Sequence, residues 1–525
     1  MRSTSKHPHK LVTPVALVAI MVLACLLRMN FWDQPLQTDE GIYGYMAWSM
    51  PHGLVPYKDI YDHKPPGIYL LYKLAFLFFE PTALSIKVFA TIYTLGTVLA
   101  LFFLAKNLAG NTAGYLAALL FAIFSCGPKI EGGGVNTEIF MILPYTLAAY
   151  SLFRGVETNR RRDFLLTGLW TGLATTIKQV AVVNLLWVGA YLSFRLWQER
   201  QSNAAVQTGK NGLLVLIGAT LPWIPYGLYF YLKDALSQFF YWQVSYNLNY
   251  VAKGYQSIAN YAVFNYQTKD IFHENGFLWL LAVAGAAWLW KELWKPAGAG
   301  LEAKPQGWRW SVFFLMSTWP LFSFFGVALG GRFFGHYYIQ TIPSLAVLGG
   351  LGCLYLYHQV RHRGLEIIRS PLSLVLTLLF AKAFLLFVIT DAPFYVKYNG
   401  DQISLNQYRT PLFSVTRFIG NYLRQRTNPG DLVYVWAVNP EINFYAARRS
   451  PSPFLIPLRT DKSALEEVME ALYRSPPKYI VAMQEMKWFP QLEKYVNQNY
   501  YQETNEELDE LRRLSEFEIY RRKER

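Results

Sequence analysis

Residues 11–50 read LVTPVALVAIMVLACLLRMNFWDQPLQTDEGIYGYMAWSM, and the order of their parts decides how the chain is built. Leu11 to Met29 is an apolar run long enough to cross a bilayer as helix. A few residues later stand two adjacent carboxylates, Asp39 and Glu40. An acid just past a span sits where water meets lipid, so it can stay ionised and still touch a lipid-bound group. Ionisable groups at such depths are costly enough to point to function.

Working outward, the same apolar pattern recurs. Of 525 residues, 53% are hydrophobic and 17% aromatic, and mean hydropathy is +0.15. Only 16% are charged, against about a quarter in soluble domains. Hydropathy places eleven spans, near 11–29, 85–105, 112–127, 138–153, 164–179, 181–197, 212–231, 276–291, 310–330, 337–357 and 371–391. Lys178 and Gln179 interrupt one stretch and are expected to form a short turn at one face. No small-x-small cleavage site follows Leu27, so the first run is expected to remain as a span. Cys25, Cys126 and Cys353 fall in spans and read as packing residues.

Charge orients the chain. Arg2, Lys6 and Lys10 precede the first span, and Arg154 and Arg160 to Arg162 share one loop. Arg195, Arg200 and Lys210 mark another; Lys291, Lys295, Lys304 and Arg309 a third; Arg361, Arg363 and Arg369 a fourth. The positive-inside rule then places the N-terminus and these loops in the cytoplasm. Loops 30–84, 128–137 and 232–275 and the tail from 392 lie outside. The net charge of +14 follows from this bias and does not argue for nucleic acid.

The outer loops hold the candidate chemistry. Asp39 to Met50 reads as a short aromatic helix lying flat in the interface, with Thr38 as a candidate N-cap and Pro51 and Gly53 ending it. The acids could serve chemistry or simply complement the helix dipole. In Asp62-His63-Lys64-Pro65-Pro66, the lysine is held extended before proline and beside a helix start, a setting for an anion. It could equally snorkel to headgroups. KIEGGGVNTE (129–138) ends in Asn136 and Glu138 at the mouth of a span, and RFFGHYY (332–338) brings Arg332, His336 and Tyr337 to the same face. Lys178 falls on that face too. The aromatics of 232–275 suit either the interface or stacking on sugar rings.

From about 395 the composition turns soluble. Strands are expected at Val433 to Val438, Tyr479 to Met483 and Phe517 to Tyr520, with a capping box opening a helix at Ser463. This suggests a small α/β domain, whose Arg448 and Arg449 suit solvent as well as a ligand. No P-loop, dinucleotide fingerprint, HExxH motif or internal repeat is present. His63 and His336 could in principle share a divalent metal ion with Asp62, but no metal-ligand spacing supports it, and no cofactor is certain.

Together these elements resemble the membrane glycosyltransferases of family 39 and their bacterial relatives, of GT-C architecture, which include the protein O-mannosyltransferases and the lipid A aminoarabinose transferase. The resemblance rests on Asp39-Glu40 with Tyr43, on Asp62-His63-Lys64-Pro65-Pro66, on Asn136-x-Glu138, on Lys178, and on Arg332 with His336-Tyr337. The segment DLVYVWAVNPEINFYAARR from 431 looks like the outer domain of bacterial members. It implies an α-helical polytopic membrane protein of roughly 11–13 spans. A transferase domain at 1–391 would be followed by an extracytoplasmic α/β domain at 392–525.

The implied reaction is inverting transfer of a hexose or pentose from a polyprenyl-phosphate donor to a lipid, glycan or protein acceptor, outside the plasma (inner) membrane. Asp39, with Glu40 beside it, would serve the acceptor, and Lys64, Lys178 and Arg332 the donor phosphate. Tyr43, Asp62, His63, Asn136, Glu138, His336 and Tyr337 would line the substrate. The KIEGGGVNTE loop departs from the family pattern. Two other functions fit the composition: a transporter of lipid-linked glycans, and a ligase or polymerase using a lipid diphosphate. Ionisable groups gathered at one interface, instead of mid-membrane between repeats, favour the enzyme.

Overall fold

In the computed structural model the described residues are 9–198, 202–256, 258–295, 305–363, 371–456, 461–483 and 486–524. Arg2, Lys6, Arg200, Lys304 and Arg369 lie outside them. Each of the eleven expected spans falls on a helix. Seven of the described helices are long and apolar enough to cross a membrane, and Pro14–Met29 and Pro66–Phe78 are shorter apolar helices. Ala83–Phe124 is two helices joined at Ala109 and Gly110, where Gly110 adopts φ 84. The turn expected at Lys178 is present: the helix Arg161–Ile177 stops there and a 3₁₀ turn, Gln179–Val182, follows.

Two compact units form. The first, which is helical, comprises Met1–Asn30, Ala90–Ile224 and Tyr250–Lys397. Its helices approach closely at small residues: a Cβ added to Gly168 would stand 2.0 Å from the Val215 carbonyl, and one on Gly285 2.0 Å from that of Leu348. Such contacts replace the hydrophobic driving force that lipid removes. The region 232–275, expected as a loop, is almost wholly helical, with Leu236–Phe240, Tyr246–Gln256 and the start of Ile258–Leu293. Its aromatics lie within a run that contains no proline.

The second unit, Phe31–Phe89, Pro225–Asn249 and Tyr398–Arg525, carries the sheet. Strands β1 (Val433–Trp436), β2 (Tyr479–Ala482), β3 (Tyr500–Gln502) and β4 (Glu518–Arg522) lie in the order β1-β2-β4-β3. β1 and β2 run parallel, joined through helix Lys462–Arg474; the β2–β4 and β4–β3 pairs are antiparallel. Alternation sends Val433, Val435, Val481 and Ile519 to one core with Ile419 and Leu423, and Tyr434 and Ile480 to another with Leu472 and Leu492. Asp461, rather than Ser463, caps helix Lys462–Arg474, accepting the Ala464 N–H. Arg448 neither meets solvent nor awaits a ligand. It is buried and donates to the carbonyls of Ala446, Ala447 and Thr427 and to the Thr427 hydroxyl, tying the chain after β1 to the preceding helix.

Candidate active site

The acid pair begins helix Thr38–Ser49. The cap is Gln37, not Thr38: the Gln37 side chain accepts from the helix start, and the Glu40 carboxylate returns to the Gln37 N–H at 3.1 Å. This capping box turns Glu40 back along its own backbone. In this helix Ile42, Tyr43, Tyr45 and Met46, expected to meet the interface, are all buried against protein. A 3₁₀ turn, Met50–His52, and Gly53 in the left-handed region end it, at the residues expected.

Asp39, whose side chain is 31% exposed, points elsewhere. Its Oδ2 accepts from Lys64 Nζ at 2.9 Å and from the Tyr43 hydroxyl, one helical turn on, at 3.2 Å. Lys64 is held by its backbone. Its carbonyl accepts the hydroxyls of Tyr57 at 2.6 Å and Tyr69 at 3.2 Å and the Gln243 amide at 3.0 Å. Tyr57 itself adopts φ 68, a left-handed conformation that costs a non-glycine residue about 1 kcal/mol or more. Its ring packs against Tyr69, Phe230 and Phe239.

Asp62 braces the same loop, accepting the His63 N–H at 2.7 Å and the Tyr69 hydroxyl at 2.6 Å. Burial opposes its ionisation, but the bond to His63, the charges of His63 and Lys64, and the Tyr69 hydroxyl outweigh it. The carboxyl is held below its usual range. The Asn247 amide donates to the His63 carbonyl at 2.9 Å, and the His63 ring lies against Tyr246.

The helical unit holds a second cluster. Lys178, at the end of its helix in extended backbone, pairs with Glu138, and its Nζ lies 3.9 Å from the Tyr337 ring centre. Glu138 is buried in the first turn of helix Thr137–Thr158 and also accepts the Thr137 hydroxyl at 2.9 Å. Asn136 is the buried N-cap residue of that helix. His336 Nδ1 meets Glu131 Oε2 at 3.0 Å. The RFFGHYY turn presses so closely on the KIEGGG loop that a Cβ on Gly335 would lie 2.4 Å from the Lys129 carbonyl. The Arg332 guanidinium sits 4.2 Å above the Tyr250 ring.

Within each unit, then, the structure gathers residues the sequence singled out: Asp39, Lys64 and Tyr43 with Asp62 and His63 in one, and Glu138, Lys178 and Tyr337 in the other. Sequence reasoning missed Tyr69, Gln243 and Asn247 and gave no role to Tyr57 or Glu131, while Tyr250 is one of the aromatics of 232–275 expected at the interface or against sugar rings. Gln243 lies 179 residues from Lys64, and no local pattern marks it. Among the described residues no group of three His, Cys, Asp or Glu could hold a metal ion. A cavity of about 650 Å³ near Tyr191, Arg195 and Trp308 is lined by none of the residues singled out.

The fold is GT-C, the architecture of membrane glycosyltransferases, in a multi-pass membrane protein with a small C-terminal sheet. Residues 63–226 match the family model described as Dolichyl-phosphate-mannose-protein mannosyltransferase, and residues 416–523 that of the competence-induced protein Ccs4 C-terminal domain. Among solved structures, the chain is similar to ArnT from Cupriavidus metallidurans bound to undecaprenyl phosphate. The two are 12% identical, with 97% of each chain covered and a TM-score of 0.57. It is also similar to the oligosaccharyltransferase AglB from Archaeoglobus fulgidus, in complex with an inhibitory peptide and a dolichol-phosphate. There the identity is 14%, the coverage 94% of this chain and 73% of that one, and the TM-score 0.55. A search of curated protein sequences returns no match.

Proposed function

We propose that the protein is an inverting glycosyltransferase that moves a sugar from a polyprenyl-phosphate carrier to an acceptor hydroxyl at the outer membrane face. The observation that carries this reading is the Asp39–Lys64 pair, a partly exposed carboxylate bonded at 2.9 Å to a lysine whose backbone is fixed. The acceptor oxygen attacks the anomeric carbon from the side opposite the phosphate, and its proton passes to Asp39. The bond from that carbon to the phosphate oxygen breaks, and its electron pair leaves with the lipid phosphate. A positioned base contributes about 10²–10⁴-fold to such a step. Cations aimed at the departing oxygen lower its charge cost. Lys64 is the candidate for that task in the sheet-bearing unit; in the helical unit Lys178 and Arg332 are.

The match of residues 63–226 to a dolichyl-phosphate-mannose enzyme model supports a lipid monophosphate donor, as does the lipid phosphate bound in both similar structures. In this reading residues 1–391 carry the transferase with the N-terminus in the cytoplasm, and 392–525 lie outside the cell's inner membrane.

The test is mass spectrometry of envelope glycans and lipids from cells with and without the protein, complemented by wild type or Asp39→Asn. One missing sugar, restored by wild type and not by a normally accumulating Asp39→Asn chain, is expected. A missing oligosaccharide block would point instead to a ligase. A complete set of glycans whose lipid-linked precursors are trapped would point to a transporter. Full restoration by Asp39→Asn would remove the acid from the mechanism.

A further inference from the structure

Asp39 and Lys64 lie 25 residues apart, and their elements meet directly where the Tyr43 ring packs against Tyr69 and Tyr72 of helix Pro66–Phe78. Both of the elements that carry them are seated on the C-terminal α/β domain. The seat of the acid helix is the segment 438–450 that follows β1. The Leu36 N–H, just ahead of the helix, donates to the Tyr445 hydroxyl at 2.8 Å, and the Thr38 hydroxyl to the Val438 carbonyl at 3.0 Å. Further along, the Ser450 N–H donates to the Tyr45 hydroxyl at 2.9 Å. Between these bonds the backbones meet without a gap. A Cβ on Gly41 would stand 2.5 Å from the Glu441 Cβ and 2.6 Å from its backbone nitrogen, and one on Gly44 would be 3.3 Å from the Phe444 ring.

The loop that carries Lys64 has a seat on the same domain. The Tyr61 N–H donates to the Pro453 carbonyl at 2.9 Å, and its hydroxyl to Glu467 at 2.8 Å. Reacting groups must be held within about half an ångström of their working positions, by neighbours whose own conformations are locked. A sheet domain with no catalytic motif of its own supplies that reference for both members of the pair.

We propose that the C-terminal α/β domain is a working part of the active site, with Tyr445 a positioning residue that sets where Asp39 stands relative to Lys64. The proposal rests on the reading of Asp39 as the acceptor's base. The Tyr445 hydroxyl is bonded to the backbone just before the helix, so its loss lets the helix start drift without removing any group that would touch the substrate.

The test uses Tyr445→Phe in the full chain in lipid nanodiscs, with three readouts: turnover, affinity for undecaprenyl phosphate, and amide hydrogen exchange over residues 36–49. Turnover is expected to fall about threefold to tenfold, as small misplacements do. Lipid phosphate affinity should stay within about twofold, and exchange at 36–49 should quicken. A structural role alone would lower the yield of folded protein and leave turnover per folded molecule unchanged, and that result overturns the proposal. Unchanged exchange together with unchanged turnover overturns it too. Should Tyr445→Phe fail to accumulate, Gly44→Ala, which sets one methyl against the Phe444 ring, is read the same way. A wild-type chain that transfers no sugar from any polyprenyl phosphate refutes the function, while the exchange readout still reports whether the domain holds the helix.

Discussion

Glu441 is wholly buried at the start of helix Glu441–Ala446, and replacing it by glutamine should change how stability depends on pH. Its Oε1 accepts the Asn439 amide at 2.8 Å, while its Oε2 has no hydrogen-bond partner among the described residues. Asn439, Thr416 and, from the acid helix, Glu40 face it. Burial first, with the like charge of Glu40 adding to it, pushes the carboxyl from its ordinary 4.5 up to about 7, against the pull of the Asn439 and Thr416 side chains. Between those values the folded chain holds a proton that the unfolded chain has released. Stability from this group is therefore complete below about pH 4.5 and is lost as pH rises through about 7. The span of about 2.5 pH units, at roughly 1.4 kcal/mol each, comes to about 3.5 kcal/mol. Glu441→Gln cannot ionise and should escape that loss. Thermal unfolding midpoints of full-length wild type and variant, followed from about pH 4.5 to 8.5, isolate the effect, because titrating groups that do not interact with Glu441 cancel in the difference. The variant should gain on wild type as pH rises, by roughly 7–14 °C at the alkaline end if the sheet-bearing unit melts cooperatively. A difference that stays flat across the range would refute the assignment of a protonated Glu441.

Lys64→Ala should weaken binding of undecaprenyl phosphate by about 10- to 100-fold, the worth of a charge-assisted hydrogen bond; an unchanged titration would leave Lys64 as a partner of Asp39 and nothing more. Arg332→Ala should cost more affinity for the same lipid than Lys178→Ala, measured in parallel titrations, and the reverse order would show that pairing with Glu138 does not hold Lys178 back. Arg448→Ala should destabilise the sheet-bearing unit by about 3 kcal/mol or more, because buried carbonyls lose their donor. A melting midpoint within a degree of wild type would show that water replaces the guanidinium.

How much of this was legible in the sequence differs between fold and site. The spans were legible because a bilayer demands long apolar runs, and each run from 11–29 to 371–391 falls on a helix. β1, β2 and β4 were legible from short runs rich in Val, Ile and Tyr. β3 was not, since three residues of which two are exposed carry no alternation. The N-cap falls on Gln37, one residue before the expected Thr38, because Gln37 has extended backbone and closes a capping box with Glu40, a choice that three adjacent residues able to accept a backbone N–H leave open. At the site, residue types and their side of the membrane were legible, and their partners were not. His336 meets Glu131 across 205 residues, and Lys64's carbonyl is shared by three donors drawn from two segments.

The cations are not equivalent, and the carboxylates beside them say why. Lys178 is paired with Glu138, whose side chain is 1% exposed. A phosphate that drew the lysine away would leave a buried carboxylate uncompensated, a change worth several kcal/mol. Lys64 is paired with Asp39, which is nearly one-third exposed, so water can take over the carboxylate at far lower cost. Among the described residues no carboxylate pairs with Arg332, whose guanidinium lies over the Tyr250 ring and keeps its charge and its planar fork for an oxyanion. On the proposed reading the cations of each unit then have distinct roles. In the helical unit Arg332 has least to give up, and Lys178 serves chiefly as the partner of Glu138 at the mouth of its helix. Lys64 is the cation that can change partners, and when a donor phosphate engages it, the Asp39 carboxylate is released to the acceptor's hydroxyl. Coupling of this kind makes the base available when the leaving group is in place.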